Sequence, residues 1–171
     1  MIIVTKDGEP LSELLYSWDK DCGVFLSDEE GLEISTDRNN CLFKVGDNCT
    51  FNTGFGCIFD AGNNCTFNTT SMCTFDTGES CTFNTGTDCV FRCSGDCTIE
   101  TGGDSIVLRR DIYEVIELER CAKIRLNEYM EEGYSLVNRE AKDIKLNSQI
   151  DNLQKQIDDL KLKLKNKDSN E

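Results

Sequence analysis

Residues 41–104 read CLFKVGDN, CTFNTGFG, CIFDAGNN, CTFNTTSM, CTFDTGES, CTFNTGTD, CVFRCSGD, CTIETGGD: one eight-residue unit written eight times without a slip. Cys41, Cys49, Cys57, Cys65, Cys73, Cys81, Cys89 and Cys97 open the units. Two residues on stand Phe43, Phe51, Phe59, Phe67, Phe75, Phe83 and Phe91, with Ile99 in the last unit. Glycine follows three residues later at 46, 54, 62, 78, 86 and 102, and Thr70 and Ser94 take its place in the other two units. An unbroken internal period of this length marks a repeat fold whose units stack on one another. Side chains two apart share one face of a strand, so Cys and Phe point inward and the residue between them points out. The Asn-Thr-Gly segment then turns the chain, with glycine supplying the positive φ that other residues resist. Each octad is therefore expected to be one short strand and one corner.

The fold class that follows is mainly β, a stacked octapeptide-repeat β-solenoid. Two octads per coil give a flattened, two-sided stack, and three give a triangular one. In the flattened form, facing strands run in opposite directions and can set each Cys across from a Phe. Small against large fills a thin core evenly, which favours two sides. Coils stack ~4.8 Å apart, so like residues form ladders. Cysteine then acts as a small buried hydrophobe and the phenylalanines stack.

Working outward, residues 1–40 read as an N-terminal cap. Leu11, Leu14, Leu15 and Trp18 fall at i, i+3, i+4 and i+7, with Pro10 just inside the start, which predicts an amphipathic helix. The strand-like MIIVT precedes it, and the apolar segments between Val24 and Ile34 follow as a first coil. Solenoid ends expose strand edges and must be covered. Residues 105–137 alternate as strands do and read as a β-rich C-terminal cap, in which Arg109, Arg110, Arg120 and Arg125 make the least acidic part of the chain. In residues 138–171 the period changes to heptads. Leu146, Ile150, Leu153, Ile157, Leu160 and Leu164 alternate steps of four and three, with Ile150 and Ile157 at a and Leu146, Leu153 and Leu160 at d. Ile at a with Leu at d predicts a coiled-coil helix forming a parallel dimer, with a trimer as the alternative.

Bulk composition narrows the partners. Asp and Glu number 32 against 18 Lys and Arg, a net charge of −14. A chain this negative is repelled by nucleic-acid phosphates and anionic membranes, so the expected partners are basic protein surfaces or further copies of itself. The opening MIIVTKDGEP holds too few apolar residues for a signal-peptide core or a membrane span, which predicts a cytoplasmic protein with reduced thiols.

The sequence offers little catalytic chemistry. It contains no histidine, the commonest general base and metal ligand. A nucleophilic cysteine needs an electropositive, partly exposed setting, and these cysteines repeat in an apolar-facing register within an acidic chain. Cys89, Cys93 and Cys97 are spaced by four, but no CxxC pair occurs and a strand-and-corner coil makes them diverge, so no zinc site is expected. No catalytic residue, metal or cofactor is assigned. The outward threonines Thr50, Thr66, Thr74, Thr82 and Thr98 resemble the ladders of ice-binding solenoids, but Ile58 and Val90 interrupt the row. Threonine is also simply a good outward strand residue.

The array resembles the Cys-Thr-Phe-Asn-Thr-Gly repeats of large bacteriophages and prophages, and Ser105 to Leu118 resembles the stretch that closes such arrays. The logic is similar to that of pentapeptide-repeat solenoids, although the period is eight, so that family's coil geometry does not carry over. The resemblance covers roughly residues 41–118 and implies a viral origin and a solenoid. It implies no activity.

The reading is then a non-enzymatic interaction module that binds, and in the sharper form inhibits, a host protein. A defence or nucleic-acid-handling enzyme would be met by an acidic surface imitating phosphates. The residues assigned to that contact are Asp60, Asp76, Glu79, Asp88, Asp96 and Glu100. Ordinary solvation is the plainer account of each one. The alternative function is a virion fibre, spike or assembly component. Eight octads make a short stub, which weighs against a fibre.

Overall fold

The computed structural model describes residues 1–118 and 122–137. The chain divides into two units, Met1–Leu136 and Val137–Glu171, and every strand named below lies in the first. Among the described residues, β1 (Ile2–Lys6), β2 (Glu9–Pro10) and β3 (Ser17–Asp19) precede the array. The parallel strands of the array are β4 (Val24–Leu26), β5 (Leu32–Thr36), β6 (Leu42–Lys44), β7 (Thr50–Asn52), β8 (Ile58–Asp60), β9 (Thr66–Asn68), β10 (Thr74–Asp76), β11 (Thr82–Thr85), β12 (Val90–Cys93), β13 (Thr98–Thr101) and β14 (Ser105–Arg109). After them come β15 (Val115–Leu118), β16 (Lys123–Leu126) and β17 (Tyr134–Leu136).

Successive array strands alternate between two sheets. Even-numbered β4 to β14 form one parallel ladder and odd-numbered β5 to β13 the other. Phe51 therefore pairs in register with Phe67, and Phe59 with Phe75, sixteen residues on. The coil is two-sided, with two octads per turn and about five stacked turns. The ladder also begins earlier than the exact period does. Phe25 pairs with Phe43 and Ile34 with Phe51, offsets that leave one extra residue in each of the first two units.

Facing strands do run in opposite directions, but they do not set Cys against Phe. Phe is the middle residue of each strand, and reversing a strand about its middle leaves the middle in place. Phe therefore meets Phe across the core: Phe67 lies edge-on to Phe59 and Phe75, with ring centroids 5.2 and 5.1 Å away. Within each sheet the rings stack, Phe67 lying 5.0 Å from Phe51 and 5.1 Å from Phe83. Such pairs contribute ~0.5–1.5 kcal/mol each beyond the area they bury. Cysteine opens each strand at the corner and meets the fifth residue of the preceding unit instead, as Cys57 meets Thr53. Its thiol reaches corner carbonyls, as Cys65 Sγ does to Asn63 at 3.5 Å and Gly46 at 3.6 Å.

The corner glycines do a different job from the one expected. The left-handed residue of each corner is the eighth of the unit: Asn48, Gly56, Asn64, Met72, Ser80, Asp88 and Asp96 all have φ between 55° and 69°. The sixth-position glycines do not take a left-handed φ, and Gly62 and Gly78 are required by close approach. A Cβ at Gly62 would run into Asp47 Oδ1 of the coil below, and one at Gly78 into Asn63 Oδ1.

No helix occurs among the described residues, and the predicted one around Leu11 to Trp18 is absent. An isolated stretch of about eight residues is too short to hold a helix by itself. Here Pro10 pairs with Thr5 at the sheet edge and Leu11 N donates to Val4 O at 3.0 Å. Trp18 then pairs with Phe25 in β3, while Leu14 is left exposed. Antiparallel strands cover the array at both ends: β1 on β5 and β3 on β4, then β15 on β14 and β16 on β13. The heptad positions Leu146, Ile150, Leu153, Ile157, Leu160 and Leu164 lie outside the described residues.

Candidate functional site

Since side chains alternate, the second and fourth residues of each unit form outward ladders, and parity sorts them onto two faces. On the odd sheet Thr50, Thr66, Thr82 and Thr98 stand in register. Beside them run Asn52, Asn68 and Asn84, with Asn68 Nδ2 donating to Asn52 Oδ1 at 3.1 Å. Ile58, Thr74 and Val90 belong to the other sheet, so they do not interrupt this threonine row. The odd face is polar and uncharged across those three coils.

The even face is different in kind. Leu42, Ile58, Thr74, Val90 and Ile106 form its second-position row, and Ile58 and Ile106 are 49 and 42 % exposed. The fourth-position row is Lys44, Asp60, Asp76 and Arg92. Lys44 pairs with Asp60 at 3.3 Å, and Asp76 is held by Arg92 at 2.9 Å and Arg110 at 2.7 Å. Three cations and two carboxylates thus run beside this largely apolar row in a strongly acidic chain.

The six carboxylates assigned from sequence do not form one row. Asp60 and Asp76 adjoin on the even face, while Glu100 lies on the odd face against Lys123 at 2.6 Å. Glu79 and Asp96 occupy corners leading from the even to the odd sheet, Asp96 lying 3.4 Å from Arg125. Asp88 sits on the opposite corner and accepts from Thr87 Oγ1 at 2.7 Å. The apolar row is not visible along the chain because only alternate octads contribute to it.

Inside, the ladder thiols act on one another, and their neighbours hold the Cys49, Cys73 and Cys81 thiols down, Cys49 to about 7. Their ladder neighbours, and then burial, push the Cys57, Cys65, Cys89 and Cys97 thiols up. Burial likewise raises Cys41. Cys89 and Cys93 lie at opposite ends of one strand segment, and among the described residues no group of three or more His, Cys, Asp or Glu is arranged to hold a metal ion.

Among the described residues, the C-terminal end holds a buried ion network. Arg109 occupies the inward fifth position of its unit and is 1 % exposed. It binds Asp111 at 2.6 Å, with Glu114 at 3.7 Å, and donates to the carbonyls of Glu128, Glu131 and Gly133. Asp111 in turn accepts Met130 N at 2.9 Å. Burial works against ionising Asp111, but the guanidinium and that N–H hold its carboxyl below the usual range.

No protein-family model matches the chain, and no curated protein or solved structure matches it either.

Proposed function

We propose that this chain is a non-enzymatic protein-interaction module, a short acidic solenoid that self-associates and holds a partner protein on its even face. The observation that supports this reading is the pairing on that face of an exposed apolar row with an ion ladder. Apolar side chains supply contact area, and the paired charges beside them form a polar border. The remaining corner carboxylates attract a basic partner from a distance and raise its association rate. The heptads from Leu146 to Leu164 supply self-association and hence avidity. On the bacteriophage reading, the partner is a host protein.

The virion-component reading fits less well, since about five turns at ~4.8 Å each make a stack of only roughly 24 Å. The test is capture from a cell lysate, with wild-type chain compared against two variants. Ile58→Lys with Val90→Lys should lose the partner. Reversing Asp60, Asp76, Glu79 and Asp88 together to Lys should slow its capture and weaken its salt dependence. A partner held equally well by both variants would remove the even face and the carboxylates from the reading.

A further inference from the structure

The even sheet finishes on β15, which pairs with β14 on one side only. Hydrogen-bonded and non-bonded pairs alternate along an antiparallel ladder, and here Arg109 N donates to Glu114 O. Ile116 and Leu118 therefore bond to β14, while the N–H and C=O groups of Val115 and Glu117 point away from it. The opposite side of β14 fixes the same phase, since Ile106 N and Arg110 N donate to the carbonyls of Cys89 and Cys93. Among the described residues nothing bonds to the outer backbone groups of Val115 and Glu117. Two donors and two acceptors at strand spacing form a template for one more strand.

The side chains beside that edge specify what fits it. Glu117 is exposed, and a groove of about 630 Å³ runs back from it over Val90 and Ile106 to Asp88 and Asp104. Asp88 accepts from Thr87 Oγ1 at 2.7 Å, and among the described residues no cation pairs with Asp88, Asp104 or Glu117. Two residues along β15, Val115 is 62 % exposed and shares a hollow with Leu108 and Tyr113. One end of the edge is thus lined by carboxylates and the other is apolar.

Resting on the partner-binding role proposed above for the even face, we infer that the partner enters as an extended segment that adds to β15 as a further strand of the even sheet. Main-chain hydrogen bonds to Val115 and Glu117 supply the hold, and side chains supply the choice. Residues on one face of a strand recur at every second position, and opposite charges directly across a strand pair attract. The segment therefore carries Lys or Arg across from Glu117 and an apolar residue across from Val115, two positions apart. Asp104 and Asp88 extend the field that draws the basic side chain in. A second copy is the poorer occupant, because its own β15 would bring the same three carboxylates to the edge.

Selection of a random-peptide display library on the full chain tests this, with the selected peptides remade and their binding measured by fluorescence anisotropy. They should share a Lys or Arg two residues from an aliphatic or aromatic one. N-methylation of one alternate set of their amides should weaken binding at least tenfold, and N-methylation of the other set should be tolerated, because only one edge of an added strand faces β15. Val115→Pro removes an outward N–H at an edge position where proline is tolerated, so the variant should keep its circular dichroism and lose the same peptides. Asp104→Lys with Glu117→Lys should turn the selection from basic to acidic peptides. A library that yields no alternating basic–apolar pattern overturns the inference, as do peptides that tolerate both N-methylated sets. Peptides lost in Ile58→Lys with Val90→Lys but held fully by Val115→Pro would overturn the added strand and leave the even-face reading standing. A dimer of the full chain that Val115→Pro dissociates would give the edge to a second copy instead.

Discussion

The side-chain oxygen of Asp47 accepts the backbone N–H of Asn63 in the next coil at 2.7 Å, so a corner side chain takes over a hydrogen bond between coils. Asn63 does the same for Glu79 at 3.0 Å, and Ser71 for Thr87 at 3.1 Å. Gly62 must be glycine to let Asp47 pass. Gly62→Ala should cost about 1–3 kcal/mol by overpacking. Asp47→Ala should cost about 1–3 kcal/mol by leaving the Asn63 N–H without its acceptor. At Gly102 an added Cβ meets nothing closer than 3.7 Å, so Gly102→Ala should be nearly neutral. Urea denaturation of the three variants checks the ranking.

Phe67 is fully buried between two stacked and two edge-on neighbours. Phe67→Ala should cost about 3–5 kcal/mol. Phe55 lies in a corner, 43 % exposed, and Phe55→Ala should shift stability by about 0.5 kcal/mol or less. Equal losses in thermal denaturation would mean that the inward register is misassigned.

Met72 occupies a corner position where neighbouring units place Asn, Ser, Asp or Gly, and its φ is 61°. Its side chain is largely exposed, so little packing is lost when it is removed. Met72→Gly relieves the left-handed strain, worth about 1–2 kcal/mol, but frees the unfolded chain by about 0.4–1 kcal/mol. The net is a gain of about 0–1.6 kcal/mol, read as a higher melting temperature. A fall in melting temperature would contradict it.

The Arg109–Asp111 pair predicts an acid-sensitive C-terminal end. The Asp111 pKa is depressed in the folded state, so its stabilisation is present above the unfolded value of about 3.9 and is lost as pH falls through the folded value. Hydrogen exchange at the Met130 and Gly133 amides should therefore lose protection in acid before the amides of β8 to β11 do. Asp111→Asn should remove that pH dependence. Loss of protection at the same pH throughout the stack would rule out a local effect.

Cys22 is exposed, whereas Cys41, Cys49, Cys57, Cys65, Cys73, Cys81, Cys89, Cys93 and Cys97 are buried and reduced. A thiol reagent should modify Cys22 in the native protein, slowed because the hydrogen bond to the Asp19 carboxylate pushes its thiol up, and reach those nine only on unfolding. Rapid labelling of any ladder cysteine in the native protein, located by peptide mapping, would contradict the closed core.

The period, the inward Cys–Phe register and the strand-and-corner unit were legible because each recurs eight times and local chemistry suffices to read it. What is set between coils was harder to see. Gly62 looks like a turn residue until Asp47, fifteen positions earlier, is placed beside it. The helical spacing of Leu11, Leu14, Leu15 and Trp18 is real, but edge pairing by Pro10 and Trp18 overrides it. The carboxylates look like a ladder along the chain, and alternation distributes them over different surfaces.

A sixteen-residue coil built from eight-residue units also constrains how such a gene can lengthen. Insertion of a single octad would transfer every later unit to the opposite sheet, placing threonines where isoleucines had been and breaking the ion ladder. Duplication of two octads at once leaves both surfaces intact. The array can therefore grow or shrink by even numbers without altering what it displays, and an odd change would invert its surface chemistry in one mutational event.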